Sequence, residues 1–344
     1  MKKKDANNKR RDFLKSLAGL TAGMMLPMTG RPLEAAMASP ENPNRIVKDR
    51  MGELLPQRKF GNSGEYITML GLGGAHIARM SDAEAEKTIE KAIEGGVRFF
   101  DNAESYGSGE GERKYGRFLT PKYRDIAFIQ SKTTARDGKT ARQHLEGTLN
   151  RMKTDYLDLY YIHAVTSPSD VDGRLKNGVL DVLLEAKSSG KIKHIGFSGH
   201  SDYKANMRML ETTDMMEACQ MPINAFDPNY KSFINNVLPL LVEKGIAPVA
   251  MKTLANGGFF GGTSHFSHGS NPRIVPAVLS VQEAVHFSWS MPISTIVTGA
   301  DDSKMLEEKI GLAKSFKKMD EKQRQQLVEK VANFDGKLVE FYKV

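Results

Sequence analysis

The sequence predicts an α/β protein that forms one closed (β/α)8 TIM barrel. Three observations predict this fold class. Beyond Leu54, short apolar runs alternate with longer amphipathic stretches; there are eight such runs; and ionisable residues end three consecutive ones. Alternating strands and helices are typical of a parallel sheet, eight strands close a barrel, and barrel active sites lie at the carboxyl ends of the strands.

The candidate strands are short apolar runs bounded by polar or glycine residues. They are Ile67–Leu72, Val97–Asn102, Ile126–Lys132, Tyr156–His163, Ile192–Ser198, Ala218–Met221, Ala247–Lys252 and Thr295–Thr298. An open doubly wound sheet is the alternative, but Gly71-Leu72-Gly73-Gly74 lacks the third glycine of a dinucleotide-binding turn and no acid follows in the ribose role.

Helical periodicity fills the intervals between these strands. The helical patterns are Asp82–Glu94, Thr140–Met152, Val179–Ser189, Asp202–Thr212, Asn235–Glu243, Val275–Ser290 and Ser303–Leu312. Ser81 precedes the first, and Gly95 and Gly96 follow it, which are typical start and stop signals. Gly190 and Gly245 close two others, where a left-handed residue is favoured.

Three further segments complete the predicted architecture. Turn residues within Gln57–Tyr66 indicate a β-hairpin ahead of the first barrel strand, and the tail Asp320–Val344 is predicted to form a charged C-terminal helix. Leu254–Arg273 is a long irregular segment rich in Gly, Ser, His and Phe, and such a loop is often functional.

The first 38 residues have the character of an export signal. A basic start ends in Lys9-Arg10-Arg11-Asp12-Phe13-Leu14-Lys15, and an apolar stretch too short to be a permanent membrane anchor precedes Ala36-Met37-Ala38. The paired arginines resemble a twin-arginine signal; an ordinary secretory signal or an uncleaved arm is the alternative. We expect a periplasmic or otherwise exported protein that engages export machinery (cytoplasmic if the leader is not functional), with residues 39–53 as a linker and 54–344 as the barrel.

Charge and cysteine usage exclude several classes. Of the formal net charge of +8, residues 1–38 hold +5, from eight Lys or Arg and three acids, so the remainder has only +3. Nucleic-acid binding would need that excess clustered on the folded body. The single Cys219 excludes an internal disulfide and a cysteine-held zinc or iron–sulfur site. His265 and His268 have a metal-compatible spacing, but without a third ligand we expect a polar lid and no metal.

Three ionisable residues end consecutive candidate strands: Asp101, Lys132 and His163. Each alone is explained by a helix cap, a solvated strand end or a rim histidine. Together, with Tyr106 five residues beyond Asp101, they predict a catalytic group at the carboxyl face of the barrel. A tyrosine has an ordinary pKa of about 10, and a neighbouring cation lowers it.

These residues, in Asp101-Asn102-Ala103-Glu104-Ser105-Tyr106-Gly107, Ser131-Lys132 and Tyr160-Tyr161-Ile162-His163, resemble the aldo-keto reductase family. The similarity continues through Gly196-Phe197-Ser198-Gly199-His200, Gln220 and Ala250-Met251-Lys252. It implies reduction of an aldehyde or ketone (a sugar carbonyl is one candidate), or the reverse, with NADP(H) or NAD(H). Tyr106 would be the general acid, Lys132 its tuning cation, Asp101 the anchor and His163 the polarising donor.

The resemblance also implies cofactor contacts. Ser198 and Gln220 would hold the nicotinamide carboxamide, and Phe226 or Tyr230 would stack on its ring. The diphosphate would lie on Lys252, Leu254 and Gly258 within Lys252–Gly258. The adenosine end would lie on Thr298, Gly299, Ala300, Ser303, Met305, Glu308 and Lys309.

Two departures from the family pattern concern the cofactor. Gly199 stands where asparagine is common, which removes one carboxamide contact. Met305 stands where an arginine often contacts the 2′-phosphate of NADP, and Asp301 and Asp302 are nearby. Carboxylates disfavour a 2′-phosphate unless paired, although Lys304 or Lys309 could compensate. We therefore expect a relaxed or NAD-leaning preference.

Two other functional classes remain as alternatives. One is a non-turnover dinucleotide-binding subunit that regulates a larger assembly. The other is a hydrolase or metal enzyme on the same barrel. The sequence does not identify the substrate.

Overall fold

The computed structural model describes residues 47–260 and 278–344, and this part of the chain begins with two short antiparallel hairpins. β1 (Lys48–Asp49) pairs with β2 (Gly52–Glu53), and β3 (Gln57–Lys59) pairs with β4 (Tyr66–Thr68). The predicted leader, residues 1–38, the first part of the predicted linker, and both His265 and His268 lie outside the described residues.

The predicted linker contributes ordered structure where it is described. Asp49 accepts a hydrogen bond from Arg98 Nε at 2.6 Å, and both side chains are largely buried. Ile67, predicted to begin the first barrel strand, belongs instead to β4. The first strand therefore begins at Leu70, because Ile67 pairs with Arg58 in the hairpin.

Eight parallel strands form a closed barrel in chain order, as predicted, and the last pairs with the first. They are β5 (Leu70–Gly73), β6 (Phe99–Asp101), β7 (Phe128–Thr133), β8 (Leu157–Ile162), β9 (Ile192–Ser198), β10 (Ala218–Pro222), β11 (Ala247–Met251) and β12 (Thr295–Thr298). The fold class is thus a (β/α)8 barrel.

The β3–β4 hairpin packs on the amino end of the barrel. Its Phe60 and Ile67 cluster with side chains near the strand starts, among them Phe99, Ala218 and Ala247. Because this apolar cluster fills one end of the barrel, polar side chains gather at the opposite, carboxyl end.

Helices follow the strands around the barrel. They are α1 (Gly74–Ile77), α2 (Asp82–Glu94), α3 (Glu110–Phe118), α4 (Thr120–Tyr123), α5 (Gly138–Met152), α6 (Pro168–Lys176), α7 (Val179–Ser188), α8 (Tyr203–Thr212), α9 (Phe233–Asn236), α10 (Leu238–Lys244), α11 (Val281–Ser290), α12 (Ser303–Lys314), α13 (Glu321–Lys330) and α14 (Gly336–Val339). None of the helices within the described residues is long and apolar enough to cross a membrane.

Several helices differ from the predicted pattern for local reasons. The sequence of α3 is strongly polar and has only two large apolar side chains, Tyr115 and Phe118, yet its Glu112 and Tyr115 are fully buried. The predicted helix Asn235–Glu243 is divided into α9 and α10, with a proline in the first turn of α10. The predicted C-terminal helix ends at Lys330, and the chain then turns toward the carboxyl face of the barrel.

Candidate active site

The four predicted catalytic residues lie together at the carboxyl ends of neighbouring strands. Asp101 ends β6, Lys132 lies near the end of β7, and His163 directly follows β8. Lys132 Nζ donates to Asp101 Oδ1, to the carbonyl of Asn102 at 2.6 Å and to the Tyr106 hydroxyl at 3.2 Å. A single ammonium therefore joins the carboxylate to the phenol.

Charge and burial set the protonation states of this pair. Burial alone would lower the pKa of Lys132, but the Asp101 carboxylate and Tyr106 together raise it above its ordinary value. Burial raises the pKa of the Tyr106 phenol. The positive charge of Lys132 lowers this pKa, as predicted, but its effect is smaller than that of burial. At neutral pH the lysine is charged and the phenol is protonated, the form that can donate a proton.

His163 faces the phenol from the end of β8, which is separated from β6 by β7. The two ring centroids are 5.8 Å apart with an edge-on angle of 81°, and His163 Nδ1 lies 3.5 Å from Ser105 Oγ. Burial, then the positive charge of Lys132, lowers the pKa of His163 well below its ordinary value. The imidazole is therefore neutral and can donate a hydrogen bond from one ring nitrogen.

Glu104, whose contacts the motif does not reveal, fastens the loop that carries Tyr106. Its Oε1 accepts hydrogen bonds from the Thr134 amide at 2.8 Å and the Thr134 hydroxyl at 2.6 Å. His144 Nδ1 lies 3.0 Å from the same oxygen. The loop is thus tied to the end of β7, which bears Lys132.

The two predicted carboxamide ligands lie close to this catalytic group. Ser198 Oγ accepts from the Ala164 amide at 2.9 Å, and Ala164 has a left-handed φ of 51°. Gln220 Nε2 lies 3.4 Å from Asp101 Oδ1, which also accepts from Gln130. Sequence reasoning missed Gln130, because its neighbours depend on the register between strands.

A cavity of about 500 Å³ opens beside β11 and β12. Seven of the predicted cofactor residues line it: Lys252, Leu254, Thr298, Gly299, Met305, Glu308 and Lys309. His76 lines it too, packed so closely on Gly299 that a side chain there would collide with the imidazole. His76 was not predicted, because its position in the cavity depends on the packing of α1 against the end of β12.

Five predicted cofactor residues have other surroundings. Phe226, predicted as a stacking surface, is a core residue 1% exposed and packed against Phe259 and Phe334. Tyr230 packs against Gly336. The remaining three are buried: Ala300, Ser303 and Gly258.

Gly258, predicted to contact the diphosphate, is closely packed against another segment. A Cβ on Gly258 would collide with the carbonyl of Val339, so α14 already occupies the space beside this backbone.

Two lysines supply positive charge to the cavity. Burial lowers the pKa of both Lys252 and Lys309 to about 8. Lys309 Nζ donates to the carbonyl of Gly299. A nearby anion would restore the charge on both, so their positions suit a ligand with phosphate groups.

The single cysteine of the chain is a core residue. Cys219 is buried and accepts a hydrogen bond from Asn206 Nδ2 at 3.4 Å. Over residues 47–260 and 278–344, no group of three or more His, Cys, Asp or Glu residues is arranged to hold a metal ion.

Comparison with known proteins shows which family this sequence matches. The model of the aldo/keto reductase family matches residues 69–329. The uncharacterized oxidoreductase YqkF of Bacillus subtilis is 24% identical over 294 residues, 75% of this chain and 90% of that protein. YcsN of the same organism, also an uncharacterized oxidoreductase, is 27% identical over 198 residues, 52% of this chain and 64% of its own length. L-glyceraldehyde 3-phosphate reductase of Escherichia coli is 26% identical over 232 residues, 61% of this chain and 64% of that protein.

Solved structures share the architecture. The holo form of aldo-keto reductase AKR11C1 from Bacillus halodurans has a TM-score of 0.67 at 18% identity, covering 80% of this chain and 96% of that one. The thermostable aldo-keto reductase Tm1743, in complex with the inhibitor epalrestat, has a TM-score of 0.63 at 22% identity, covering 80% of this chain and 100% of that one. At these identities the likeness concerns the fold alone.

Proposed function

The chain belongs to the aldo/keto reductase family, and from this premise we propose that it reduces an aldehyde or ketone to an alcohol with NADPH or NADH, or catalyses the reverse oxidation. The observation that carries the proposal is the Lys132 ammonium, held between the Asp101 carboxylate and the Tyr106 hydroxyl. A protonated phenol beside a buried cation is an acid suited to a developing alkoxide.

The cavity has the chemistry that a nicotinamide dinucleotide requires. Lys252 and Lys309 provide positive charge for a diphosphate, while Leu254, Met305 and Leu312 offer apolar surface for a base. The described residues therefore fit this cofactor, with the diphosphate near Lys252. When bound, the dinucleotide supplies or accepts the hydride.

The protein's own groups would move the proton. In reduction Tyr106 donates its phenolic proton to the carbonyl oxygen, and the resulting phenolate faces Lys132 at 3.2 Å. Asp101 keeps that ammonium in place and charged. Neutral His163 donates a hydrogen bond to the same oxygen and orients it. In the oxidative direction Tyr106 accepts the proton.

A relaxed or NAD-leaning cofactor preference is part of the proposal. Asp301 and Met305 line the cavity, and the carboxylate of Asp301 would face part of the adenosine end. Lys309 lines the same cavity and offers one compensating charge. We expect NADPH to bind less than tenfold more tightly than NADH, a difference in binding free energy below about 1.4 kcal/mol.

The test is turnover of NADPH and NADH with a panel of aldehydes and ketones by wild type and Tyr106→Phe. Polyhydroxy carbonyls belong in the panel, since one relative is named as a reductase of L-glyceraldehyde 3-phosphate. Loss of the proton donor should lower kcat by roughly 100-fold or more, with the dinucleotide Kd unchanged because the ring remains.

Tyr66→Phe, in the hairpin at the opposite end of the barrel, is the matched control and should retain wild-type kcat. Equal activity of Tyr106→Phe and wild type would overturn the catalytic assignment. A wild-type protein that binds dinucleotide but turns over no carbonyl would instead indicate the regulatory-subunit alternative. Titration of both cofactors on the same samples tests the preference.

A further inference from the structure

The last five residues, 340–344, form a C-terminal tail that is bound at the carboxyl face of the barrel. Lys343 Nζ contacts Asp227 Oδ1 at 2.7 Å, Glu340 Oε2 at 2.6 Å and the Tyr230 carbonyl at 2.8 Å. The three charged side chains are fully buried. Such a site is stable only with its charges paired, so the tail is firmly held.

A backbone hydrogen bond holds the end of the tail, and close packing holds the segment that precedes it. The Val344 amide donates to the Ser201 carbonyl at 3.0 Å. Just before the tail, Gly336 lies so close to Tyr230 that a Cβ there would collide with the ring. The path of the tail is therefore set by close packing as well as by charge.

This path brings the Tyr342 ring to the ends of three neighbouring strands. Its centroid lies 4.7 Å from Lys252 Nζ, directly after β11, and 6.2 Å from the ring of His200, two residues after β9. Asn224, two residues after β10, donates to the Tyr342 hydroxyl at 3.3 Å. That hydroxyl in turn donates to Glu340 Oε1 at 2.7 Å, so the ring orientation is specified.

Tyr342 thus lies beside Lys252 and near the ends of the strands that carry Ser198 and Gln220. Lys252 lines the cavity, whereas Ser198 precedes His200 by two residues and Gln220 precedes Asn224 by four. Because the Tyr342 ring contacts Lys252, we expect a dinucleotide whose diphosphate lies near Lys252 to pass this ring on its way to Tyr106.

We propose that the C-terminal tail forms one wall of the cofactor site and that the Tyr342 ring contacts the nicotinamide half of the bound dinucleotide. The inference rests on the function proposed above. It assigns to the tail the aromatic surface that Phe226, enclosed in the core, does not offer. The buried ion pairs of Lys343 indicate that the tail stays in place and does not move away when a ligand binds, because moving it would separate buried charges.

The test compares two ligands that differ only in the nicotinamide. Binding of NADH and of ADP-ribose, which lacks that ring, is measured by calorimetry for wild type, Tyr342→Leu and Tyr342→Phe. Loss of aromatic contact in Tyr342→Leu should weaken NADH binding by roughly tenfold and leave ADP-ribose binding unchanged. Tyr342→Phe keeps the ring and should bind both ligands like wild type. Tyr66→Leu, which removes a half-buried aromatic ring in the hairpin at the opposite end of the barrel, is the matched control.

Three results would overturn the inference. Tighter or unchanged NADH binding by Tyr342→Leu would mean that the ring blocks or avoids the nicotinamide. If Tyr342→Leu weakened the binding of NADH and of ADP-ribose equally, the tail would only support the structure of the cavity and would not contact the nicotinamide. Equal loss of NADH binding in Tyr342→Phe and Tyr342→Leu would assign the effect to the hydroxyl. A wild-type protein that binds neither ligand would refute the proposed function itself, which separates the two failures.

Discussion

Binding of an anionic dinucleotide beside Lys252 and Lys309 is expected to take up protons from solution. Burial lowers the pKa of both to about 8, so near pH 8 each is charged about half of the time. A diphosphate alongside favours the charged form and raises both pKa values. Uptake should therefore approach about one proton per dinucleotide at pH 8 and about 0.2 at pH 7.

The sign of the pH dependence follows from the same reasoning. The positive charges of the two lysines, which attract the anion, are almost complete at pH 7 and are lost as the pH rises through 8. If binding requires both charges, the Kd for NADH should rise by up to roughly 100-fold between pH 7 and pH 9. NADH is the appropriate probe because it has no group of its own that titrates in this range.

Calorimetry at pH 8 in buffers of different ionisation enthalpy measures the uptake directly. Lys309→Met should reduce it to about half a proton, because only Lys252 remains. Lys304→Met removes an exposed lysine of the same helix and should leave it at the wild-type value. A wild-type enthalpy that is independent of the buffer, or an unchanged uptake in Lys309→Met, would refute the reasoning.

Two predictions concern stability. Burial alone would lower the pKa of His194, but hydrogen bonds to Glu217 and Glu65 raise it to about 9. The stabilisation that the charged His194 gives the fold is therefore complete below about pH 6.5 and is lost as the pH rises through 9. We expect the charged His194 to add about 2 kcal/mol to the free energy of unfolding, a value discounted because the Glu65 side chain is 40% exposed. The melting temperature should fall less between pH 6 and pH 10 for His194→Gln than for wild type. Parallel curves of melting temperature against pH would contradict this. Lys343→Met leaves Asp227 and Glu340 buried without their cation and should cost about 3 kcal/mol in urea unfolding. A loss below about 1 kcal/mol would show that the buried pair contributes little.

Local sequence patterns predicted most of the barrel. The eight strands and the helix Asp82–Glu94 were located because strand runs, caps and glycine stops act within a few residues. The helix Glu110–Phe118 was not predicted because it has only two large apolar side chains, Tyr115 and Phe118, to mark its buried face. Its Glu112 is buried only because Ser131, Thr148 and Arg151 surround that carboxylate with donors from other elements.

The meeting of the four residues proposed as catalytic was also within reach of the sequence. Parallel strands bring their carboxyl ends to one face, so residues that end consecutive strands must meet there. Asp101, Lys132 and His163 could be placed together on that basis, and Tyr106 through its short distance along the chain from Asp101.

The sequence by itself therefore determined the fold class, the strand order and the residues that meet at the carboxyl face of the barrel, because each depends on local periodicity and on the rule that parallel strands share an orientation. Only the tertiary structure decided which aromatic ring lies beside Lys252 at the strand ends. Phe226 is enclosed by the core, whereas Tyr342 arrives from 118 residues beyond Asn224. The lowered pKa values of Lys252 and Lys309 were likewise decided by burial. Contacts and burial of this kind depend on through-space packing between distant segments, which no local pattern records.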